Sequence, residues 1–147
     1  MVIIPIHQLD PEIPLPSYAR AGDVGADLYA RRDARLPAGG GRALVPTGVV
    51  MALPPGCGGF VLPRSGLALA HGVTCLNAPG LVDPGYRGEL AVLLVNTDPT
   101  DDYVVQRGDR IAQLVVLAVE PVEFEVVERE RLPASERDVG GFGHTGR

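Results

Sequence analysis

The chain has 147 residues, and its 46% hydrophobic and 21% charged residues are typical of one globular domain rather than a disordered or membrane protein. The net charge of -5 argues against a nucleic-acid-binding surface, because such a surface needs a basic footprint. No apolar run is long enough to span a bilayer and the N-terminus does not look like a signal peptide, so we expect a cytoplasmic protein without a membrane partner.

Glycines and prolines are spread along the chain, and turn signals about every ten residues predict an all-β fold. The strand candidates are rich in Val, Ile and Leu, as the core of a two-sheet sandwich requires. The predicted strands are, in chain order, Val2–Gln8, Gly25–Ala30, Arg42–Leu53, Gly58–Leu62, Gly72–Leu76, Glu89–Asn96, Ile111–Val119 and Val122–Val127. Only Ser65–Ala70 and Glu128–Arg131 are predicted to form helical turns.

The chain is predicted to consist of a folded part and an arm. We expect one β domain over residues 1–127 and a flexible arm over residues 128–147, because the arm is polar, charged and glycine-rich. Within the domain, Glu89–Asn96 is apolar on both faces, which suits a strand covered on both sides, for example by another subunit. Cys57 and Cys75 have neither a CxxC partner nor a His at zinc-ligand spacing, so we expect reduced thiols and no zinc site.

The first segment with chemical interest is Ala21–Ala30 (AGDVGADLYA), which leads from a loop into a strand. Asp23 or Asp27 could hold water molecules on a Mg²⁺ ion, because magnesium keeps most of its hydration and often contacts proteins through one or two carboxylates. An ordinary turn aspartate is the competing interpretation.

The segment Pro63–Ala68 (PRSGLA) directly follows a predicted strand and opens a short turn. Ser65 is expected to cap that turn, Gly66 would allow an anion to approach the backbone, and Arg64 would add a guanidinium fork. The alternative is a capped helical turn with a surface arginine.

Two sets of turn residues lie close together in Asn77–Leu90 (NAPGLVDPGYRGEL), which predicts a hairpin with a wide, rigid mouth. Its backbone groups could bind the edge of a flat base, and Asn77 adds a side-chain donor and acceptor. Asp83 precedes Pro84, which favours an extended backbone and leaves the carboxylate free to take a proton from water. A simple turn at Asp83 is the alternative.

The segment Arg107–Leu114 (RGDRIAQL) is a turn that enters a strong strand. Gln113 is the polar residue in an otherwise apolar run, so its side chain points either to solvent or into a cleft. All 13 basic residues of the chain are arginines, whose fork matches phosphate oxygens. Local arginines and a divalent cation could therefore bind an anion despite the acidic net charge.

Together with the tail segment GGFGHTG, and in this order, these stretches resemble the five motifs of the trimeric dUTP pyrophosphatase family, over nearly the whole chain. The resemblance implies a jelly-roll-like homotrimer with three active sites at subunit junctions and a C-terminal lid. It implies hydrolysis of dUTP to dUMP and pyrophosphate with Mg²⁺, which lowers dUTP and supplies dUMP for thymidylate synthesis.

The resemblance also assigns roles to individual residues. The substrate-binding residues are Arg64, Ser65, Gly66, Asn77, Leu81, Val82, Tyr86, Ala91 and Phe142. In the resemblance, phosphates are held by Arg64, Ser65 and Gly66, and uracil is bound by Asn77, Leu81, Val82 and Ala91. Tyr86 excludes a 2′-hydroxyl, and Phe142 stacks on the base. The residues of the reaction itself are Asp83, Gln113 and Arg137, with Asp27 touching the water shell of Mg²⁺.

Two positions of the last motif differ from the usual family sequence, and two alternative functions are considered. Asp138 and His144 stand where the family usually has Gly and Ser, so we expect weaker γ-phosphate capture by Arg137 beside Asp138 and loss of the usual serine hydroxyl contact at His144. A dCTP deaminase would share the Asp83-Pro84-Gly85 turn but needs a glutamate where this chain has Leu93. A catalytically inactive jelly-roll regulatory protein is the rival from another class.

Overall fold

A computed structural model of the chain describes residues 2–136, 138 and 139. The strands in this part are β1 (Ile6–Gln8), β2 (Ala26–Tyr29), β3 (Ala34–Leu36), β4 (Arg42–Pro46), β5 (Val49–Met51), β6 (Cys57–Leu62), β7 (Val73–Cys75), β8 (Gly80–Val82), β9 (Ala91–Asn96), β10 (Tyr103–Val105) and β11 (Arg110–Ala118). One α-helix, α1 (Ser65–His71), and a 3-10 turn at Arg129–Arg131 complete the described elements. The all-β prediction is confirmed, and no helix of the described chain is long and apolar enough to cross a membrane.

The strands form two main antiparallel sheets around one core. The first sheet has the order β2-β11-β6-β8 and the second has the order β4-β9-β7, while β1-β5 and β3-β10 form two separate two-stranded sheets. Neighbours in each sheet are distant in sequence, so the chain crosses repeatedly between sheets, as jelly-roll folds require. The largest fully buried apolar side chains are Leu28, Leu36, Leu94, Ile111, Val45, Val73, Val92 and Val105.

The predicted strand Arg42–Leu53 is wrong as a single element, because the chain turns at Thr47 and Gly48. Gly48 has a φ of 76°, a left-handed conformation that glycine adopts without steric cost. After this turn β5 pairs with β1, whereas β4 pairs with β9. One apolar run therefore supplies strands to two sheets.

The ends of the chain also differ from the prediction. The first strand is limited to Ile6–Gln8, which follows Pro5. No strand forms over Val122–Val127, and Val122, Phe124 and Val126 are 70%, 92% and 98% exposed. None of the described strands of the same chain pairs with this segment, so its alternating apolar side chains remain uncovered.

A network of arginines and carboxylates joins the N-terminal segment to the turn before β11. Arg107 donates hydrogen bonds from Nη1 and Nη2 to the two carboxylate oxygens of Asp10 at 2.6 and 3.1 Å. Its Nη2 also donates to Glu12 at 2.8 Å. The hydrogen bonds from Arg107 lower the pKa of Asp10 to about 2. Charges of opposite sign thus tie together parts of the chain that lie far apart in sequence.

Candidate active site

A pocket of about 260 Å³ opens where β8 and β9 diverge. The predicted hairpin over Asn77–Leu90 is corrected here, because β8 pairs with β6 while β9 pairs with β4 and β7. The two arms belong to different sheets, and this separation creates the wide mouth. The pocket is lined by Val61, Asn77, Gly80, Leu81, Val82, Tyr86, Leu90, Ala91, Val92 and Leu93. The four residues of this segment predicted to contact the base and sugar are among them, and so is Ala91, which directly follows the segment.

The walls of the pocket combine apolar surface with free backbone groups. Val61, Val82 and Leu90 are buried and form its floor. Strand β8 is the last strand of its sheet, so the N–H and C=O groups along its outer edge have no strand partner. A Cβ on Gly80 would lie 3.3 Å from Asn77 Nδ2, which shows how closely this amide approaches the strand. Such a slot suits a flat, polar-edged ring.

Tyr86 closes one side of the pocket. Its hydroxyl donates a 2.9 Å hydrogen bond to the carbonyl oxygen of Glu89, and 45% of the residue remains exposed. The backbone N–H of Tyr86 donates to the carbonyl oxygen of Asp83 at 3.0 Å, which confirms the predicted turn at Asp83–Tyr86. The ring is therefore held at both its backbone and its hydroxyl end.

Asp83 directly follows β8, and its side chain lies outside the pocket lining. Asp83 lines a second hollow, of about 410 Å³, which Cys57, Val119 and Glu120 also line. No hydrogen bond or ion pair to another described residue occupies its carboxylate oxygens. An exposed carboxylate without a protein partner can accept a hydrogen bond from water.

A second cluster of predicted site residues surrounds Asp27, which is only 4% exposed. Arg64 Nε lies 3.5 Å from Oδ1, Arg110 Nη1 lies 3.3 Å from Oδ2, and Gln113 Nε2 donates to Oδ1 at 3.4 Å. Arg64 Nη1 also donates to the carbonyl oxygen of Arg110 at 2.9 Å. The structure thus brings together Asp27, Arg64 and Gln113 from three separate motifs. Arg110 was not predicted, although it stands in the same RGDRIAQL segment as Gln113.

Ser65 and Gly66 lie beside this cluster at the start of α1. The prediction that Ser65 caps the helix is wrong, because Arg64 occupies the cap position and no side chain hydrogen-bonds there. Both residues are exposed, and a Cβ on Gly66 would meet nothing within 4 Å. The described chain therefore leaves open space beside Arg64.

Asp23, the other candidate for a metal contact, forms a hydrogen bond within its own turn. Its Oδ2 accepts a 2.8 Å hydrogen bond from the backbone N–H of Arg20. This geometry fits the turn-aspartate interpretation for Asp23. Asp27 instead pairs with arginines, so the two aspartates of this motif have different environments.

The two clusters lie on different strands of the first sheet. Asp27 on β2 pairs with Gln113 on β11, whereas Gly80, Leu81 and Val82 form β8 at the other edge of that sheet. Strand β6 lies between β11 and β8, so the Asp27 cluster and the β8 pocket are separated along the sheet. Within one described chain the predicted site residues form two separate groups.

Three residues of the last predicted motif lie outside the described part of the chain. These are Arg137, Phe142 and His144. Their predicted roles therefore stay predictions.

Comparison with known proteins identifies close relatives. Residues 11–146 match the family model described as dUTPase. The deoxyuridine 5'-triphosphate nucleotidohydrolase of Thermobifida fusca (strain YX) is 54% identical over 145 residues, which are 99% of this chain and 79% of that protein. The protein of the same name from Mycobacterium marinum is 51% identical over 144 residues, covering 96% and 93% of the two chains.

Solved structures share the fold. The dUTPase of Staphylococcus bacteriophage 80alpha with dUPNHPP superposes with a TM-score of 0.88 at 24% identity, and 100% of each chain is covered. A mutant dUTPase from phage phi11 of S. aureus, described with a structural Mg(II) ion, superposes with a TM-score of 0.78 at 21% identity, covering 89% of this chain and 100% of the other. The fold is therefore the jelly-roll-like fold of these proteins.

Proposed function

The chain belongs to the dUTPase family and hydrolyses dUTP to dUMP and pyrophosphate, and on this premise we propose how its residues perform the reaction. The observation that carries the assignment is the 54% identity to a deoxyuridine 5'-triphosphate nucleotidohydrolase over 99% of the chain. The apolar Leu93 in the pocket wall cannot relay a proton, so a deaminase is not supported. Because the reaction removes dUTP from the nucleotide pool that supplies DNA synthesis, we propose a cytoplasmic location.

Uracil binds between β8 and β9 in this proposal. The free edge of β8 offers the backbone groups of Leu81 and Val82, and Asn77 and the backbone of Ala91 complete the contacts. A slot built from fixed backbone groups rejects the thymine methyl group by steric contact. It rejects cytosine because the amino group reverses the hydrogen-bond polarity at that edge.

Tyr86 packs under the deoxyribose and leaves no space for a 2′-hydroxyl. Its position at the pocket wall and its bond to the Glu89 carbonyl support this role, since the ring is held rather than free to turn. Phe142 of the arm stacks on the base from the other side. These contacts would select 2′-deoxyuridine nucleotides by shape.

The triphosphate binds at the Asp27 cluster. Arg64 supplies a guanidinium fork, and Ser65 and Gly66 leave room for phosphate oxygens beside it. Gln113 helps to position phosphate or water, and Arg137 of the arm reaches the γ-phosphate. Hydrolysis of a triphosphate depends mainly on positioning and charge neutralisation, which these groups can provide.

The residues of the cluster fit a magnesium ion that is held mainly by substrate phosphates. No group of three or more His, Cys, Asp or Glu side chains gathers within the described residues, so this part of the chain offers no complete metal cage. One buried carboxylate, Asp27, next to the Gln113 amide suits contact with the water shell of such an ion. When bound, Mg²⁺ would neutralise charge on the phosphate oxygens.

Asp83 activates the water that attacks the α-phosphorus. The carboxylate has no partner among the described residues, and it lies at the end of β8 beside the proposed base site. A water held by this carboxylate can lose its proton as it approaches phosphorus. Attack in line with the leaving pyrophosphate would follow from the position of the water relative to the bound nucleotide.

The complete site forms between subunits of a homotrimer. The base pocket lies at the edge strand β8 and the Asp27 cluster on β2 and β11 of the same sheet, so we infer that a nucleotide contacting both groups of residues bridges two chains. The exposed apolar side chains of Val122, Phe124 and Val126 support burial against another subunit. The boundary near residue 127 and the closing of residues 128–147 as a lid belong to the same proposal. Light scattering of the full chain should give three times the 15.5 kDa of one chain.

The reaction is tested by incubating the full chain with dUTP and Mg²⁺ and measuring pyrophosphate and dUMP. We expect both products in equal amounts and much slower hydrolysis of dTTP, dCTP and UTP. An inactive regulatory protein would bind dUTP and release no pyrophosphate. Release of ammonia from dCTP would instead indicate a deaminase.

A further inference from the structure

The position of the Tyr86 ring depends on the residues that follow it. Its hydroxyl donates a 2.9 Å hydrogen bond to the carbonyl oxygen of Glu89. The ring also lies over Gly88, where a Cβ would come within 2.6 Å of Tyr86 Cζ. Any residue other than glycine at position 88 would collide with the ring in this position. The position of the ring therefore depends on the segment that carries Glu89.

Glu89 and its neighbour are in turn bound to the turn between β4 and β5. The backbone N–H of Gly48 donates to Glu89 Oε1 at 2.8 Å. The backbone N–H of Leu90 donates to the carbonyl oxygen of Val49 at 2.7 Å. Thr47 Oγ1 donates to the carbonyl oxygen of Leu90 at 2.8 Å. The acceptor of the Tyr86 hydroxyl is therefore attached to the body of the fold by side-chain and backbone bonds.

Arg31 holds the Glu89 carboxylate. Arg31 Nη1 lies 3.3 Å from both carboxylate oxygens, and the two side chains are 35% and 26% exposed. Arg31 Nε also lies 3.5 Å from Asp10, which Arg107 binds with two hydrogen bonds. A partly buried pair within such a network is screened less by salt than an isolated surface pair.

We propose that Arg31 and Glu89 are positioning residues that hold Tyr86 where it excludes a 2′-hydroxyl, and so set the preference for deoxyribonucleotides. The inference rests on the proposed function. Steric exclusion of a 2′-hydroxyl requires that the Tyr86 ring stays in a fixed position. A displacement of the ring by about 1 Å would make room for the hydroxyl. Neither residue needs to touch the nucleotide, because both act through the Tyr86 segment.

The test compares kcat/KM for dUTP with kcat/KM for UTP. We expect Glu89→Ala and Arg31→Met each to lower the dUTP-to-UTP ratio by about tenfold, with a smaller loss of activity on dUTP itself. Glu89→Gln keeps an acceptor for the Gly48 N–H but loses the ion pair, so its dUTP-to-UTP ratio should lie between those of the wild type and Glu89→Ala. If Glu89→Ala does not fold, as judged by circular dichroism, Glu89→Gln and Arg31→Met supply the test.

Arg35→Met is the matched control. Arg35 is an arginine of β3 that forms an ion pair with Asp102, and neither residue lines the β8 pocket. Arg35→Met therefore removes an arginine–carboxylate ion pair at a place that does not line the β8 pocket. The dUTP-to-UTP ratio of Arg35→Met should equal that of the wild type.

Tyr86→Phe separates a positioning role from a general structural role. This change removes the hydroxyl that binds the Glu89 carbonyl, so Glu89→Ala should alter the ratio less in the Tyr86→Phe background than in the wild type. Equal changes in both backgrounds would overturn the inference. So would ratios within about twofold of the wild type for both Glu89→Ala and Arg31→Met, when the wild type hydrolyses dUTP. A wild type without dUTP hydrolysis would contradict the proposed function itself, and this inference with it.

Discussion

Asp83→Asn is expected to slow pyrophosphate release from dUTP by about 10²- to 10⁴-fold, the usual contribution of a positioned general base. The amide has nearly the shape of the carboxylate, so the turn at Asp83–Tyr86 should persist, but it cannot take a proton from water. Single-turnover rates with saturating dUTP and Mg²⁺ measure the chemical step directly. Binding of a non-hydrolysable dUTP analogue should change far less than the rate.

Asp101→Asn is a suitable control for this change. Asp101 is also an exposed aspartate, and it lies between β9 and β10 rather than beside β8. Its substitution should leave the single-turnover rate unchanged. If Asp83→Asn hydrolyses dUTP as fast as the control, another group activates the water and the proposed mechanism is wrong.

Arg64→Met is expected to lower kcat/KM for dUTP by about 10- to 100-fold, because a hydrogen bond to a charged group contributes about 1.5–3 kcal/mol. The methionine keeps much of the apolar stem and removes the guanidinium fork. Arg64→Lys should recover only part of the loss, since an ammonium group cannot form the bidentate contact. Steady-state kinetics over a range of dUTP concentrations measures both variants.

This substitution also removes one of the two arginines that pair with the buried Asp27. Thermal unfolding therefore has to be measured beside the kinetics, so that a loss of folded enzyme is not taken for a loss of phosphate binding. Competitive inhibition by deoxyuridine provides a second control, because this ligand has no phosphate and occupies only the base pocket. Its inhibition constant should stay within about twofold of the wild type, and a large rise would mean that Arg64 supports the base pocket instead.

Much of the local structure was predictable because it follows from the sterics of a few neighbouring residues. The turn at Asp83–Tyr86 was predicted from a proline and a glycine between apolar runs, and it is confirmed by the hydrogen bond that closes it. The helical turn at Ser65–Ala70 is confirmed as α1, one residue longer at its C-terminal end. The long strands β9 and β11 were predicted because runs of Val, Ile and Leu need a buried sheet.

Other features depend on partners that lie far away in sequence. Strands β3, β8 and β10 have three residues each, too few for a pattern to distinguish them from loops. The break of Arg42–Leu53 at Gly48 becomes necessary only because β5 has to meet β1 while β4 meets β9. A glycine in an apolar run does not by itself indicate which strand each half will join.

The sequence alone therefore determined the fold class and the order of the five motifs, and it supplied the proposed site residues, because turns, apolar runs and short motifs are local properties of the chain. Only the tertiary structure decided which of these residues meet. Asp27 is paired with arginines that stand 37 positions away at Arg64 and 83 positions away at Arg110, and Glu89 is held by Arg31 across 58 positions. Such contacts follow from the packing of the two sheets, since no local interaction brings these charges together.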